Sequence, residues 1–122
     1  MYATEMHPVQ VTTPSGNYTY MYPLVQHIMA HLICSIVGRL AIIESQVELD
    51  QLTRSGVYWI DMNDITAEGT WVSSFTGDAS FVHWGHHENI NGANENCGIM
   101  KDGSKMGDAP CTTYLFAFIC ET

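Results

Sequence analysis

Side chains that could bind a metal ion are concentrated in the second half of this 122-residue sequence. Eight of the thirteen acidic residues lie between Asp61 and Asp108, where the only basic residues are Lys101 and Lys105. Calcium takes oxygen ligands almost exclusively, and carboxylates supply many of them in proteins. This acidic segment therefore favours a cation as ligand, with calcium as the first candidate.

Histidines form a second group with metal-binding potential. His83, His86 and His87 lie within the five residues that precede Glu88. Imidazoles and a carboxylate at this spacing could hold zinc or copper, or could titrate near pH 6.5 and gate a loop. The favoured interpretation is that these histidines are exposed loop residues, with His83 facing a neighbour in a strand.

Two further histidines, His27 and His31, are four residues apart and would share one face of a helix. Residue 28 is Ile, so the pair lacks the glutamate of the H-E-x-x-H motif of metalloproteases. We expect both histidines to face solvent, opposite the apolar side of the helix. Ser, His and Asp residues show no nucleophile-elbow spacing, so the sequence predicts no enzyme.

Composition and charge exclude several classes of protein. The chain is 46% hydrophobic and 14% charged, which suits one compact domain over residues 1–122. Thirteen acidic and four basic residues give a net charge of −9, which disfavours a nucleic-acid partner and an anionic membrane surface. Polar residues interrupt the most apolar stretch, residues 24–43, so we expect no membrane insertion.

The four cysteines are an even number and form no C-x-x-C pair, which argues against a structural zinc site. Three disulfide pairings are compatible with this count. An oxidised chain is typical of secreted proteins, so we expect an extracellular location. The cysteines are Cys34, Cys97, Cys111 and Cys120.

The order of the predicted elements in the first half indicates two strands followed by a helix. Residues 2–22 have the composition of short strands around a turn at residues 14–17. Pro23 suits the first turn of a helix, and Gly38 suits its end. Apolar residues at i, i+4 spacing predict that this helix buries a wide face formed by Leu24, Val25, Ile28, Met29, Leu32, Ile33, Ile36 and Val37.

A second helix is predicted to begin at the capping box Ser45-Gln46-Val47-Glu48 and to end at residues 55–56. Residues 85–96 form a long polar loop, and long loops in compact domains are commonly functional. Short strands are predicted at residues 57–60, 80–84, 97–100 and 116–120, with a turn at residues 68–70. The result is an α+β fold.

These motifs resemble the C-type lectin-like domain over about residues 18–121. Cys34 and the segment Gly38-Arg39-Leu40-Ala41 are similar to the end of its first helix and its G-x-L-A segment. Tyr58-Trp59-Ile60 resembles the W-I-G strand, with Asp61 in place of the usual glycine. Further matches follow in family order: Glu44–Leu52, Glu68–Trp71, Trp84, Glu88, Glu95–Cys97, Asp108, Cys111 and Phe118–Glu121.

The resemblance implies two helices packed on short antiparallel sheets with a long loop region, in the short form of the domain. It implies the disulfides Cys34–Cys120 and Cys97–Cys111. In members that bind calcium, the metal on the long loop coordinates two vicinal sugar hydroxyls. Such a site would place Trp84 at the root of the loop, where it could stack on a sugar, whereas Trp59 and Trp71 are expected in the core.

The resemblance also implies which residues form the calcium sites. Three carboxylates, from Glu88, Glu95 and Asp108, match the primary site, but the proline after Glu88 is missing and the loop is one residue shorter. Gly107 replaces an asparagine ligand. An auxiliary site is partly kept through Asp64 and Glu68. The implied amide ligands are Asn89 or Asn91 and Asn96, with Asn96 replacing a family aspartate. Apart from the resemblance, His86 and His87 are candidate ligand-binding residues, because they could help hold the loop.

The expected function is that of a secreted, calcium-dependent lectin that binds glycans. The order Glu88 then Asn89 favours mannose-type diols, and a non-covalent homo-oligomer would supply avidity. The alternative is a calcium-independent module that binds protein, or a mineral or ice surface, through its long-loop face. Zinc at His86 and His87 is a lesser alternative.

Overall fold

The computed structural model describes residues 7–52, 54–85, 95–101 and 105–122. These residues form two helices and seven strands in one sheet. In chain order the elements are β1 (Val9–Thr13), β2 (Gly16–Val25), α1 (His27–Cys34), β3 (Arg39–Leu40), α2 (Gln46–Asp50), β4 (Val57–Asn63), β5 (Cys97–Lys101), β6 (Lys105–Ala109) and β7 (Phe116–Glu121).

The sheet has the strand order β1-β2-β7-β4-β5-β6, and β3 pairs with β7. Strands β4 and β7 run parallel, whereas the other pairs are antiparallel. The α+β class is therefore confirmed, and the sheet is mixed rather than purely antiparallel. The predicted hairpin is confirmed by β1 and β2, which pair from Thr13 and Gly16 outward.

Alternation along the strands builds a core on each face of the sheet, because successive side chains of a strand point to opposite faces. On β4, Tyr58 and Ile60 join one core, and Trp59 joins the other. The first core contains Tyr18, Tyr20, Leu49, Leu52, Met100, Met106 and Ile119. The second lies under α1 and contains Ala30, Cys34, Leu40, Ile99, Phe118 and Cys120.

Helix α1 presents the opposite face from the one predicted. The disulfide Cys34–Cys120 ties its last residue to the buried face of β7. Residues three to four and seven positions earlier in a helix lie on the same side, so Ala30 and His27 are buried with Cys34. Of the eight predicted residues, Val25 and Ile33 are partly buried against the second core. The other six face solvent: Leu24, Ile28, Met29, Leu32, Ile36 and Val37 are between 44% and 82% exposed. We call these six side chains, three on α1 itself and three on the residues that flank it, the α1 face.

Three other boundary predictions are wrong. Pro23 lies within β2, and α1 begins only at His27. The second helix ends at Asp50 instead of residue 55, although its capping box is confirmed by the Glu48 N–H, which donates to Ser45 Oγ at 3.1 Å. Residues 80–84 form no continuous strand and make only an isolated bridge from Trp84 to Met106.

Candidate functional site

The structure describes part of the predicted site. His86, His87, Glu88, Asn89 and Asn91 lie outside the described residues, so the predictions made for them stay predictions. The described members are Asp64, Glu68, Glu95, Asn96 and Asp108.

Strand pairing brings Asp64 beside Asn96. Asp64 directly follows β4, and Asn96 directly precedes β5. The last pair in the β4–β5 register joins Asn63 and Cys97. Beyond it, the Asp64 N–H donates to the carbonyl oxygen of Asn96 at 3.1 Å. Two residues that are 32 positions apart in the sequence therefore meet where β4 ends and β5 begins.

The Asp64 carboxylate is buried, and its two oxygens differ in their environment. Oδ2 accepts a hydrogen bond from the Gly69 N–H at 2.8 Å. Oδ1 is buried and has no hydrogen-bond partner within the described part of the chain. A buried carboxylate oxygen without a donor is costly unless a cation or proton compensates it. This oxygen is therefore suited to a metal ligand.

Glu68 lies beside Asp64, as the spacing of the auxiliary acids implied. Desolvation and then the negative charge of Asp64 raise the pKa of the Glu68 carboxyl above its ordinary value. A negative site that makes the Glu68 carboxyl hold its proton more tightly also attracts a divalent cation. Asp64 therefore lies beside the Glu68 carboxyl and the backbone carbonyl of Asn96, which places several oxygen atoms close together.

Asp108 lies on β6, where its backbone pairs with Gly98 of β5, and its side chain is buried. The disulfide Cys97–Cys111 links the start of β5 to the segment after β6. Asp108 is therefore two register positions from Asn96 and three from Glu95. Within residues 7–52, 54–85, 95–101 and 105–122, no three His, Cys, Asp or Glu side chains form a metal-binding group.

Two of the three tryptophans lie in the core, as predicted. Trp59 and Trp71 are buried, which confirms their core assignment. Trp84 is half-buried and packs edge-on against Trp71, with 5.1 Å between ring centroids. Backbone hydrogen bonds join the segment around Trp84 to Met106 of β6, at 2.8 and 2.9 Å. Trp84 is thus held at the edge of the region where the long loop begins.

A polar cluster under α1 was missed by the sequence analysis. Asp61 lies on the same face of β4 as Trp59, which α1 covers. Its carboxylate accepts hydrogen bonds from Ser73 Oγ at 2.7 Å and from the Ser74 N–H at 2.9 Å. His31 Nε2 lies 3.5 Å from Asp61 Oδ1. The signal that could have found the cluster is the aspartate at a position where the resemblance expects glycine.

The prediction that His27 and His31 face solvent is wrong. His27 is 5% exposed, and its Nε2 donates to the Ile60 carbonyl oxygen at 3.0 Å. Its ring packs edge-on against Trp59, with 5.1 Å between centroids. Burial lowers the pKa of His27 to about 4, assisted by the nearby His31. Burial also lowers the pKa of His31, whereas Asp61 acts to raise it.

Beside this cluster lies a cavity of about 280 Å³ between α1, β3 and the turn at residues 73–77. His31 and Asp61 line it together with Leu32 and Phe75. The Arg39 guanidinium lies over the Phe75 ring at 5.2 Å and pairs with Glu121 at 3.1 Å. The cavity is mainly apolar and opens beside the α1 face.

The family model for the lectin C-type domain matches residues 30–122. Together with the two disulfides and the fold, this match shows that the chain belongs to the C-type lectin domain family. Members of this family are typically binding proteins rather than enzymes. In the part of the chain that the structure describes, no helix has the length and apolar character needed to cross a membrane.

One relative found by sequence and one solved structure are similar to most of this chain. The low affinity immunoglobulin epsilon Fc receptor of Mus musculus is 36% identical over 101 residues, which cover 79% of this chain and 30% of the receptor. The carbohydrate-recognition domain of cow CD23, solved in the presence of a GlcNAc2Man3 oligosaccharide, is 26% identical with a TM-score of 0.80, covering 93% and 92% of the two chains. Because the match covers only 30% of the Mus musculus receptor, this chain spans less than a third of that receptor's length.

A third neighbour is the type II antifreeze protein of herring, with a TM-score of 0.74. It is 22% identical to this chain, and the match covers 87% and 89% of the two chains. At this identity the likeness shows the fold alone.

Proposed function

We propose that this chain is an extracellular lectin that binds glycans with the help of calcium at its long-loop end. The observation that carries the proposal is the buried Asp64 Oδ1, which has no hydrogen-bond donor among the described residues and lies beside Glu68 and Asn96. The cow CD23 domain, solved in the presence of an oligosaccharide, supports glycans as the ligand class.

The residues present supply the oxygen atoms that a calcium ion needs as ligands. Asp64 and Glu68 supply carboxylate oxygens, and Asn96 supplies amide and carbonyl oxygens, which are the ligands that calcium prefers. Glu95 and Asp108, with Glu88 and Asn89 or Asn91, would hold a second ion. Bound calcium offers two open coordination positions to vicinal hydroxyls of a sugar.

The chain's own side chains would perform the recognition. Glu95 and Asp108 would accept hydrogen bonds from the sugar hydroxyls, and the indole of Trp84 would offer an apolar surface to one ring face. Gly107 offers no side-chain oxygen, and Asn96 carries no charge where the family pattern has an aspartate. Fewer charged ligands weaken calcium binding. We therefore expect a dissociation constant in the range typical of extracellular calcium-binding modules, roughly 10⁻⁴–10⁻³ M.

Calcium titration with a thermal readout tests the proposal. Calcium at about 10 mM, roughly tenfold above that weak limit, should raise the melting temperature, because a ligand that binds only the folded state stabilises it. Asp64→Asn and Glu95→Gln should each reduce this rise. Asp78→Asn is the matched control, since Asp78 is exposed and is not among the implied calcium ligands.

Sugar binding is measured separately, on a panel that includes mannose, galactose and N-acetylglucosamine. We expect binding that a chelator abolishes, that Glu95→Gln abolishes, and that Asp78→Asn leaves unchanged. Sugar binding that survives both the chelator and Glu95→Gln would contradict a calcium-assisted mechanism. The absence of any thermal shift would favour the second candidate.

The second candidate is a calcium-independent module that binds a protein, or an ice or mineral surface, through the same long-loop face. The 36% identity to an immunoglobulin receptor and the lost ligand at Gly107 favour it. It predicts binding of a protein or an ice surface that a chelator leaves unchanged. Melting temperatures with and without calcium would then coincide.

A further inference from the structure

Exposed apolar side chains are concentrated on one surface of the molecule. The α1 face contributes six of them. Leu32 and Phe75, which is 65% exposed, line the same cavity, so the surface continues from α1 onto the turn at residues 73–77. At the other end, Gln26 Nε2 donates to the Thr112 carbonyl at 2.9 Å, which joins the start of α1 to the segment carrying the exposed Tyr114 and Leu115. We call the α1 face with Phe75, Tyr114 and Leu115 the apolar surface.

Six of the nine side chains of this surface come from one segment that carries no charge. Residues 23–38 contain no Asp, Glu, Lys or Arg, although the whole chain has a net charge of −9. Its two histidines are turned inward and are held neutral at physiological pH, because burial lowers the pKa of both. At the margin, Arg39 is already paired with Glu121. A contiguous exposed apolar surface of this kind marks an interaction site.

We propose that this surface is where a second copy of the chain docks, forming a twofold-symmetric dimer. Two molecules of charge −9 repel each other, and the repulsion is least where they meet through a region without carboxylates. A basic partner would be drawn instead to the acidic segment between Asp61 and Asp108. Homodimers with twofold symmetry are the commonest soluble oligomers, and they need only one self-complementary surface.

The area available is sufficient for a stable dimer. At about 60–120 Å² per aliphatic side chain and 150–250 Å² per aromatic one, the exposed fractions give roughly 600 Å² of apolar area per copy. A standard interface buries about 800 Å² per partner, of which a little over half, roughly 450 Å², is apolar. The cavity of about 280 Å³ beside Phe75 adds a hollow next to a projecting ring. In a twofold dimer, the projecting ring of each copy could enter the cavity of the other.

Analytical ultracentrifugation in a chelator, without sugar, tests the proposal independently of the proposed lectin function. Between about 1 and 100 µM, a range that brackets micromolar interfaces, the wild-type chain should pass from monomer to dimer. Ile36→Glu should lower the association constant at least about 100-fold, because each dimer would then bury two unpaired carboxylates. Ile36 is the most exposed residue of the surface, at 82%, so its replacement disturbs folding least.

Val47→Glu is the matched control, since Val47 is 65% exposed and lies outside the apolar surface. It should leave the association constant within about twofold of wild type, as expected of a site away from the interface. Ile28→Glu provides a second variant within the surface, and melting temperatures confirm that each variant folds. A wild-type chain that stays monomeric overturns the proposal, as does dimerisation that persists in both Ile28→Glu and Ile36→Glu. Monomers that float with phosphatidylcholine vesicles would assign the surface to lipid instead and would also overturn it.

Discussion

Lowering the pH should destabilise the folded chain through the buried His27. The folded state holds the pKa of His27 at about 4, against an ordinary value of 6.5. Between these pH values the unfolded chain binds a proton that the folded chain rejects. Stability therefore falls as the pH drops through this window, and the contribution of His27 is intact above about pH 6.5.

The magnitude follows from the two pKa values. At 1.36 kcal/mol per pKa unit, the full loss is about 3 kcal/mol below pH 4, and most of it, about 2.5 kcal/mol, is reached by pH 4.5. This is a large share of the 5–15 kcal/mol that typical domains possess. Groups facing His27 modify the loss: His31 on the same helix lowers the pKa of His27 further, whereas Asp61 and the Ile60 carbonyl on β4 raise it.

The assay is urea unfolding followed by tryptophan fluorescence at several pH values between about 7.5 and 4.5, the window set by the ordinary pKa and burial. His27→Gln keeps a donor for the Ile60 carbonyl but does not titrate. At pH 7.5 the variant should be less stable than wild type by about 1–2 kcal/mol, because the ring contact with Trp59 is lost. At pH 4.5 this difference should vanish or reverse.

His83→Gln is the matched control, since His83 is exposed and outside the core. It should follow the wild-type pH profile, because its side chain is exposed and lies outside the core around His27. Carboxylates that titrate in the same range affect all three proteins equally and cancel in the comparison. If His27→Gln loses stability with falling pH as steeply as wild type, the buried neutral imidazole is not the cause and the reasoning is refuted.

Two further predictions concern close contacts around α1 and β4. Gly38→Ala should destabilise the chain by about 2–4 kcal/mol in urea unfolding, because a Cβ there would fall 2.2 Å from the backbone oxygen of Glu121; a loss below 0.5 kcal/mol would contradict this close approach. Asp61→Asn should cost about 1–3 kcal/mol, because an amide cannot accept all the hydrogen bonds that the Asp61 carboxylate accepts. The exposed Asp78→Asn should change stability by less than about 0.5 kcal/mol, and equal losses in both variants would refute this assignment.

The strands and the cysteine pairing were predictable because their signals agree with each other. The apolar run at residues 57–60 became β4, and residues 116–120 became most of β7. The order of the family motifs implied Cys34–Cys120 and Cys97–Cys111, and both disulfides are present. Local secondary-structure preference, burial and the disulfides all favoured the same arrangement here. A fold can be predicted from sequence where such signals agree.

The orientation of α1 was not predictable from hydrophobic periodicity. The period predicted a helix in the right part of the chain, although α1 is shorter than predicted at both ends, and it assumed that the apolar side is the buried one. Of the candidate site, the meeting of Asp64 with Asn96 follows from family order and strand pairing. The polar cluster of His31 with Asp61 could not be found in this way, because it joins a helix to a strand 30 residues away through tertiary packing alone.

The conflict at α1 has an energetic consequence for association. The cystine fixes Cys34 against β7, so α1 cannot rotate to bury its apolar side within the same chain. The six side chains of the α1 face then leave roughly 300 Å² of apolar area in water, worth about 7 kcal/mol per copy at 25 cal/mol per Å². Association of two copies would remove this area from water twice, against an association cost of about 4–15 kcal/mol. Under the proposal, the disulfide that orients the helix inside the domain therefore also leaves exposed the apolar area that two copies would bury.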